Sequence, residues 1–559
     1  MKAWLQGRGL PFGVPVQPRH GVAVFFLAWL VLGLCLVPDY GISWDEAAQR
    51  DHGIVAFDYL NKKLGLGLPI QKPRSHLERH PARHYGLWFP LTGYLLERAL
   101  GLDHDVFDLR ERFLLRHFLT FLLFWGASLA FYHLLYLRWK HRGIALLGVL
   151  MLLLSPRIFG HAFFNPKDSV FLSTYLIGCW TLLRLTERPT PGAAAAHAVA
   201  GAFALSTRIA GLALPALTLG WLFLLALRQK NYRLWAKRLA LYLPLTAALA
   251  LALSPGWWEQ PLHAVGETVQ TMANYPWNSE VLFRGAFIPA TELPWYYIPW
   301  WMGISTPLPY VLLFGAGLLF VGVHLGKGLR RGVLWRDAGE RMDLMLLSLS
   351  LLPWLAVVLR GSTLYDGWRQ MQFIYPPMLA LALGGAVFSW RALGRLPGAW
   401  KGVGRLALLL LLGGGMLHTA ARMVKDHPLQ HLYFNPLAGK DLLFRYDCDY
   451  WGLAYKEAIL ELGRRIPDRC VTFKAVHYPG EENWRFLEHR QPPNLDIAYG
   501  PEPAEFHLSE LRWRYEQDRY RRREFPYLEE VFWIRVGGER MLGVFRDPRY
   551  EERLRRFIR

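Results

Sequence analysis

Apolar residues in this chain come in long blocks separated by short polar stretches. A helix needs about 20 mostly apolar residues to cross the hydrocarbon core of a bilayer. Gly21–Val37 is the first block of that kind, and 114–137, 143–155, 169–184, 193–211, 212–228, 239–254, 300–325, 343–359, 372–390 and 406–421 follow. The pattern predicts about eleven transmembrane helices, with the third short and the boundary between the fifth and sixth soft. The first block follows Arg19 and His20 and runs into a polar stretch with no small-residue cleavage site, so it reads as a retained anchor. Between the first two blocks, residues 39–112 are polar and aromatic. Their amphipathic segments Ala47–Leu60 and Phe89–Leu100 suit a membrane surface. After the last block the periodicity changes. Tyr455–Arg465 predicts a helix and Cys470–Val476 a strand. Glu530–Val536 and Arg540–Phe545 predict a β-hairpin turning at Gly537-Gly538. The expected fold class is a mainly α polytopic membrane protein, with a transmembrane domain over 1–421 and a small C-terminal α/β domain over 422–559.

The net charge of +20 suits either a nucleic acid or a membrane as partner. Lys and Arg lie largely between the apolar blocks, which favours the bilayer and gives no reason to expect nucleic acid. With the N-terminus in the cytoplasm, the inner loops carry Arg138, Lys140 and Arg142; Arg184 and Arg188; Arg228, Lys230, Arg233, Lys237 and Arg238; Lys327, Arg330, Arg331, Arg336 and Arg341; and Arg391, Arg395, Lys401 and Arg405. The short outer loops hold far fewer basic residues, as the positive-inside rule requires. This orientation puts 422–559 outside. Cys35 and Cys179 fall in apolar blocks. Cys448 and Cys470 lie in the outer region, and their spacing leaves a disulfide and two thiols equally open.

The same orientation gathers the unusual polar clusters on the outer face. Asp45-Glu46 follows the first span, and the next outer turn runs from Ser155 and Arg157 to Asn165-Pro166-Lys167-Asp168. Arg208, Trp257-Trp258-Glu259 and Tyr365-Asp366-Gly367-Trp368-Arg369 come later, and His80-Pro81-Ala82-Arg83-His84-Tyr85 sits within the first loop. Each has an ordinary explanation: helix starts for the acidic pair and for Pro166-Lys167-Asp168, snorkelling for Arg208, an aromatic belt for the tryptophans. Taken together they are harder to dismiss, because charges near membrane depth pair with each other or line a wet cavity. Carboxylates at Asp45, Glu46 and Asp168 suit a general base, and Arg157, Lys167, Arg208 and Arg369 suit an anionic leaving group. His84 and Tyr85 are candidate substrate contacts. Pro81 between His80 and His84 argues against a helical metal pair.

In layout the chain resembles the GT-C glycosyltransferases, specifically the relatives of protein O-mannosyltransferases and of the lipid A aminoarabinose transferase. The resemblance is carried by Asp45-Glu46 after the first span, the Asn165-Pro166-Lys167-Asp168 turn, Tyr365-Asp366-Gly367-Trp368-Arg369 before a late span, and the outer C-terminal region. It implies a bacterial inner-membrane enzyme that moves a sugar from a polyprenyl-phosphate donor to a hydroxyl on an envelope glycan, lipid or protein, with inversion at the anomeric carbon. It also implies Asp45, with Glu46 beside it, as base; Asp168 as the second acid; and Lys167, Arg208 and Arg369 around the lipid phosphate. Asn165, Glu259, Tyr365 and Asp366 join them as expected substrate contacts. No metal is required for a neutralised phosphate to leave, and a divalent ion has no motif to support it. The chain has no room for the inserted β-trefoil loop of eukaryotic protein mannosyltransferases. Asp449-Tyr450-Trp451-Gly452 faintly echoes the acceptor motif of oligosaccharyltransferases. The competing class is a transporter or flippase for a lipid-linked or anionic substrate, which would set its key charges at span centres rather than at span ends.

Overall fold

The computed structural model describes residues 19–70, 76–102, 108–487 and 490–558. Among them, nine helices are long and apolar enough to cross a membrane, from Arg19–Asp39 to Ala399–Lys425. A tenth span is formed if Arg142–Leu153 and Pro156–Phe164 are taken together, bent by 71° at their junction. Pro156 has no N–H to continue the first helix, and it holds Ser155 extended at φ −104° and ψ 93°. The expected span at 143–155 is therefore half of a broken one. Its second half, Pro156–Phe164, is buried along its whole length and ends in the polar turn Asn165–Lys167. The block at 193–211 forms a helix of 17 residues, Pro191–Thr207, about 25 Å long and packed between Asp168–Glu187 and Tyr232–Leu253. The block at 300–325 is split at Thr306-Pro307 into Tyr297–Ser305 and Leu308–Leu329. Val24, Leu27, Val31 and Leu32 on the first helix point outward, as lipid-facing side chains do.

At the end of Leu109–Trp139 remote from the first loop, Arg138 grips Asp343 with both Nε and Nη2, each at 2.6 Å, and Arg341 pairs with Glu187. These pairs tie basic helix ends to their neighbours. The opposite end carries the first loop. Its amphipathic segments form the helices Glu46–Lys63 and Trp88–Ala99. Glu97 is buried and bridges Arg50 Nε at 2.9 Å and Arg116 Nε at 2.6 Å, which fastens both loop helices to the span. Removing this carboxylate leaves the buried Arg116 uncompensated, a loss of about 3–5 kcal/mol. Glu97→Ala should therefore lower the thermal unfolding midpoint of the detergent-solubilised protein by far more than Glu259→Ala, whose carboxylate is solvent-exposed.

The C-terminal region folds as expected at the predicted segments: helix Ala454–Arg465, strand β3 (Val471–Ala475), and the hairpin β6 (Glu529–Val536) and β7 (Glu539–Arg546). β1 (Glu280–Phe283) and β2 (Ala286–Pro289) form a separate two-stranded hairpin. β4 (Leu495–Ile497) and β5 (Phe506–Ser509) complete a five-stranded sheet in the order β4-β3-β5-β7-β6, parallel across β4, β3 and β5 and antiparallel from β5 onward. This region is clamped to the start of the first loop. Asn483 exchanges hydrogen bonds with the Ile42 backbone at 3.0 and 2.9 Å, Trp44 N donates to Trp451 O at 3.0 Å, and Lys456 Nζ donates to Asp39 O at 2.5 Å. A Cβ at Gly41 would lie 2.2 Å from Asn483 Oδ1, so only glycine fits that approach. All four cysteines are free, with Cys448 buried and Cys470 exposed.

Candidate active site

Four separate stretches of chain meet at Asp45. The clamp on Ile42 and Trp44 fixes the chain just before it, and Asp45 stands at the N-terminus of Glu46–Lys63 with no capping hydrogen bond from its side chain. Its Oδ2 is 3.1 Å from Arg369 Nη1. Arg369 opens a buried 3-10 stretch, Arg369–Ile374, and follows a tight turn in which Asp366 and Gly367 both adopt left-handed backbone, φ 56° and 68°. Asp and Gly are the residues that tolerate that conformation. The guanidinium also lies 3.4 Å from Asp366 and sits over the rings of Trp451 at 4.7 Å and Tyr365 at 5.0 Å. Tyr365 in turn stacks on Trp277 at 4.4 Å.

The broken span supplies the second stretch. Asn165 Oδ1 accepts from the backbone N–H groups of Lys167 at 3.2 Å and Asp168 at 2.8 Å, which starts the next helix. Asn165 Nδ2 donates to Asp168 Oδ2 at 3.2 Å. Asp168 Oδ1 is 2.6 Å from Arg208 Nη1, so both oxygens of this buried carboxylate are engaged. Lys167 Nζ lies 4.3 Å from the Tyr85 ring centroid. His161 Nδ1 accepts from both Asn165 Nδ2 and Gln372 Nε2 at 3.1 Å, which ties the turn to the segment that carries Arg369.

The electrostatics follow from this packing. Burial raises the Asp45 carboxyl, but Arg369, Lys167 and Arg208 outweigh it and hold the group below the ordinary aspartate value. Burial lowers the Lys167 ammonium, and Arg208 and Arg369 lower it further against the pull of Asp45 and Asp168. The result is about 8. His52 is pushed down to about 3, chiefly by burial and then by Lys167 and His80. At neutral pH Asp45 is therefore ionised, Lys167 is largely charged and His52 is neutral.

Of the residues singled out in the sequence, Asp45, Asp168, Lys167, Arg208, Arg369, Tyr85, Tyr365, Asp366 and Asn165 come together, and others do not. Glu46 is fully buried; it accepts from Ser43 N at 2.7 Å and meets His117 Nε2 at 2.8 Å, so it anchors the helix start and faces away from Asp45. Arg157 is buried between Trp301 and Phe434, with Nη2 on Tyr433 O at 3.4 Å. His84 and Glu259 belong to a different, smaller cavity of about 150 Å³, where His84 meets Thr268 at 3.2 Å and Glu259 meets Lys63 at 3.4 Å. His80 contacts Asp51 at 3.1 Å and lines a different cavity from His84. Among the described residues no group of three or more His, Cys, Asp or Glu is placed to hold a metal ion.

Two participants were not among the expected site residues, and only the second lies in a motif marked in the sequence. Arg512 Nη2 donates to Asp366 Oδ1 at 2.7 Å and Nη1 to Tyr450 O at 3.1 Å, so a chain of alternating charges runs Arg512–Asp366–Arg369–Asp45 from the C-terminal region into the site. Trp451 belongs to the Asp449–Gly452 motif. There Asp449 caps the helix Ala454–Arg465, accepting from the backbone of Gly452, Leu453 and Ala454, while Trp451 covers Arg369.

Beside this cluster, on the side of Asp45 lined by Glu46–Lys63, lies a cavity of about 780 Å³ whose wall includes Trp44, Asp45, Asp51, His52, Arg112 and Glu482. Asp45 thus has the cations on one side and open space on the other.

No protein-family model matches the chain, and no curated protein does. Among solved structures it is similar to ArnT from Cupriavidus metallidurans bound to undecaprenyl phosphate, at 15% identity over 94% of this chain and 98% of that one, with a TM-score of 0.45. It is also similar to the archaeal oligosaccharyltransferase AglB from Archaeoglobus fulgidus in complex with an inhibitory peptide and a dolichol-phosphate, at 10% identity over 88% of this chain and 70% of that one, with a TM-score of 0.48. Both likenesses are distant, and the function proposed below rests on this chain's own residues.

Proposed function

We propose that the chain is an inverting glycosyltransferase that moves a sugar from a polyprenyl-phosphate donor to an envelope hydroxyl at the outer face of the membrane. The observation that carries this is the place of Asp45, between three cations, of which Lys167 and Arg369 are buried, and an open cavity. The donor phosphate would sit among Arg369, Lys167 and Arg208. Its prenyl tail would run toward the apolar pocket lined by Ile298, Met302, Phe314, Trp354, Ile374 and Met378. Ile374 closes the 3-10 stretch that Arg369 opens, about 10 Å further along. From the cavity side the acceptor hydroxyl gives its proton to Asp45. Its oxygen forms the bond to the anomeric carbon on the face opposite the phosphate, and the C–O bond to phosphate breaks with its electron pair leaving on the phosphate oxygen. The phosphate supplies a competing anion for the cations that depress Asp45, so donor binding itself makes Asp45 a stronger base.

The division of labour supports Asp45 over its neighbours, because Asp168 spends both oxygens on Asn165 and Arg208 while Asp45 keeps one side open. The positions of the charges favour a transferase over a transporter. Asp45 starts a helix, Lys167 lies between two helices, Arg208 follows the end of Pro191–Thr207, and Arg369 opens its segment; none sits mid-helix. The test is purified protein in lipid, incubated with radiolabelled polyprenyl-phosphate sugars. Label should leave one donor by transfer or by slow hydrolysis. A folded, monodisperse protein that consumes none would overturn the proposal.

A pH dependence follows from Lys167. Its folded-state pKa is depressed to about 8, so it is charged below that pH and neutral above it. The donor kcat/KM, which reports the free enzyme, should therefore fall as pH rises through about 8. Lys167→Arg should move that limb out of the measurable range while keeping the charge.

A further inference from the structure

The side chain of Asp45 makes no helix-capping hydrogen bond, so its aim is set from two directions: by Arg369 at its oxygen, and by the backbone of Trp44 at its root. Both lead to one residue of the C-terminal region. Arg512 Nη2 donates to Asp366 at 2.7 Å, Asp366 lies 3.4 Å from Arg369, and the same guanidinium of Arg512 stands 5.1 Å from the Trp44 ring centroid. The chain of charges Arg512–Asp366–Arg369–Asp45 therefore closes on itself through Trp44. A closed ring restricts the carboxylate more than an open chain of the same contacts would, because each member is held from both sides.

The second cationic neighbour of the indole is His477, with ring centroids 5.9 Å apart and planes at 52°. Aromatic rings attract cations within about 6 Å. His477 Nδ1 is 2.9 Å from Glu510 and Nε2 is 2.9 Å from Glu516, and all three residues are buried. Burial lowers the imidazole, but the two carboxylates outweigh it and raise it to about 10. This buried trio has no part in the sugar transfer itself. One short stretch fixes both cations: Glu510 meets His477, Arg512 reaches Asp366 and Trp44, and Leu511 between them is left-handed at φ 48°. That conformation is unfavourable for a leucine. It is held by Leu511 N donating to Ser509 Oγ and by Gln517 Nε2 donating to Leu511 O, each at 3.1 Å. Strain of this kind persists where the surroundings over-determine it, and it gathers at functional sites.

We propose that Trp44 is a positioning residue for Asp45, held by Arg512 and His477, so that the base is aimed only while the C-terminal region is docked on the first loop. This inference rests on the transferase proposal above.

Trp44 also lines the cavity, so lost aim must be told from lost acceptor contact. Hydrolysis of the labelled donor with no acceptor present does this, because water takes the acceptor's place and still needs Asp45. On the full chain in lipid, Trp44→Leu should lower kcat for hydrolysis by about tenfold or more, since misplacing a catalytic group by about 1 Å can cost 10²-fold. The donor KM should stay within about twofold. Trp44→Phe keeps a ring for the two cations and should recover most of the loss. In an Asp45→Asn background no base is left to aim, so Trp44→Leu should cost less than about twofold there. Arg512→Ala, which leaves the cavity wall intact, should likewise lose less in that background than in the wild type. Unchanged hydrolysis in Trp44→Leu would make Trp44 a cavity wall only, and equal losses in both backgrounds would make it general scaffold; either result overturns the proposal and leaves the transferase standing. A second measurement needs no donor. Trp44→Leu and Arg512→Ala should each lower the thermal unfolding midpoint, and together by less than the sum of the two shifts. Additive shifts would overturn the ring. Shifts short of additive, with no donor consumed by the folded wild type, would support the ring and sink the transferase.

Discussion

Asp45→Asn should lower kcat by about 10²–10⁴-fold, the usual worth of a positioned general base, which is about 3–5 kcal/mol of barrier. Asparagine keeps the shape, and its Oδ1 still accepts from Arg369, so the donor KM should change little and the protein should remain folded. The substitution also removes a negative charge that supports the Lys167 ammonium. The alkaline limb of the donor kcat/KM should therefore shift below about 8 in the same variant. A merely damaged fold would lower the rate without moving the limb, so the two readouts together distinguish lost chemistry from lost structure. Glu46→Gln supplies the contrast. Because Glu46 is sealed against Ser43 and His117, its loss should show as reduced thermal stability. Near-normal turnover by a properly folded Asp45→Asn would remove Asp45 from the mechanism.

The membrane part of the fold is legible because the bilayer imposes a length rule. The departures have local causes that length and apolarity do not register. Pro156 breaks a span, Thr306-Pro307 splits another block, and Pro191–Thr207 stays short. The site was partly legible for the opposite reason. Ionisable residues at the ends of apolar blocks are expensive, so Asp45, Lys167, Asp168, Arg208 and Arg369 stand out wherever they occur. Spacing does not carry the partner of each oxygen. Asp45 and Glu46 are neighbours in the chain, yet one faces a cavity and the other a histidine on a buried helix face, because successive residues at a helix start point in different directions. Arg512 was invisible for a related reason: it lies in an arginine-rich polar stretch, and only the docking of the C-terminal region brings it to Asp366. The Asp449–Gly452 motif shows how one short segment can serve two purposes, a helix cap from Asp449 and a lid on Arg369 from Trp451.

Arg369→Ala should cost about 10²–10³ in kcat/KM, the scale at which removing one preorganised donor to a developing anion is felt, or about 2.7–4 kcal/mol. The guanidinium lies between two carboxylates and two aromatic rings, so it reaches its position already oriented and needs little reorganisation when the phosphate departs. Arg369→Lys keeps a charge but lacks the planar fork that meets Asp45 and Asp366 together, so it should recover only part of the loss. The leaving group provides the sharper check. If Arg369 stabilises charge building on the departing oxygen, its absence should matter less when that oxygen is a weaker base. The deficit of Arg369→Ala should therefore shrink with a polyprenyl-diphosphate donor relative to the monophosphate. A role confined to holding Asp366 and the C-terminal region in place predicts the same deficit for both donors. Arg512→Ala tests that role separately: Arg512 touches Asp366 and the Tyr450 carbonyl but not Asp45, so its loss should be insensitive to the leaving group. Equal deficits for Arg369→Ala with the two donors would place Arg369 in the scaffold and leave Lys167 and Arg208 to neutralise the phosphate.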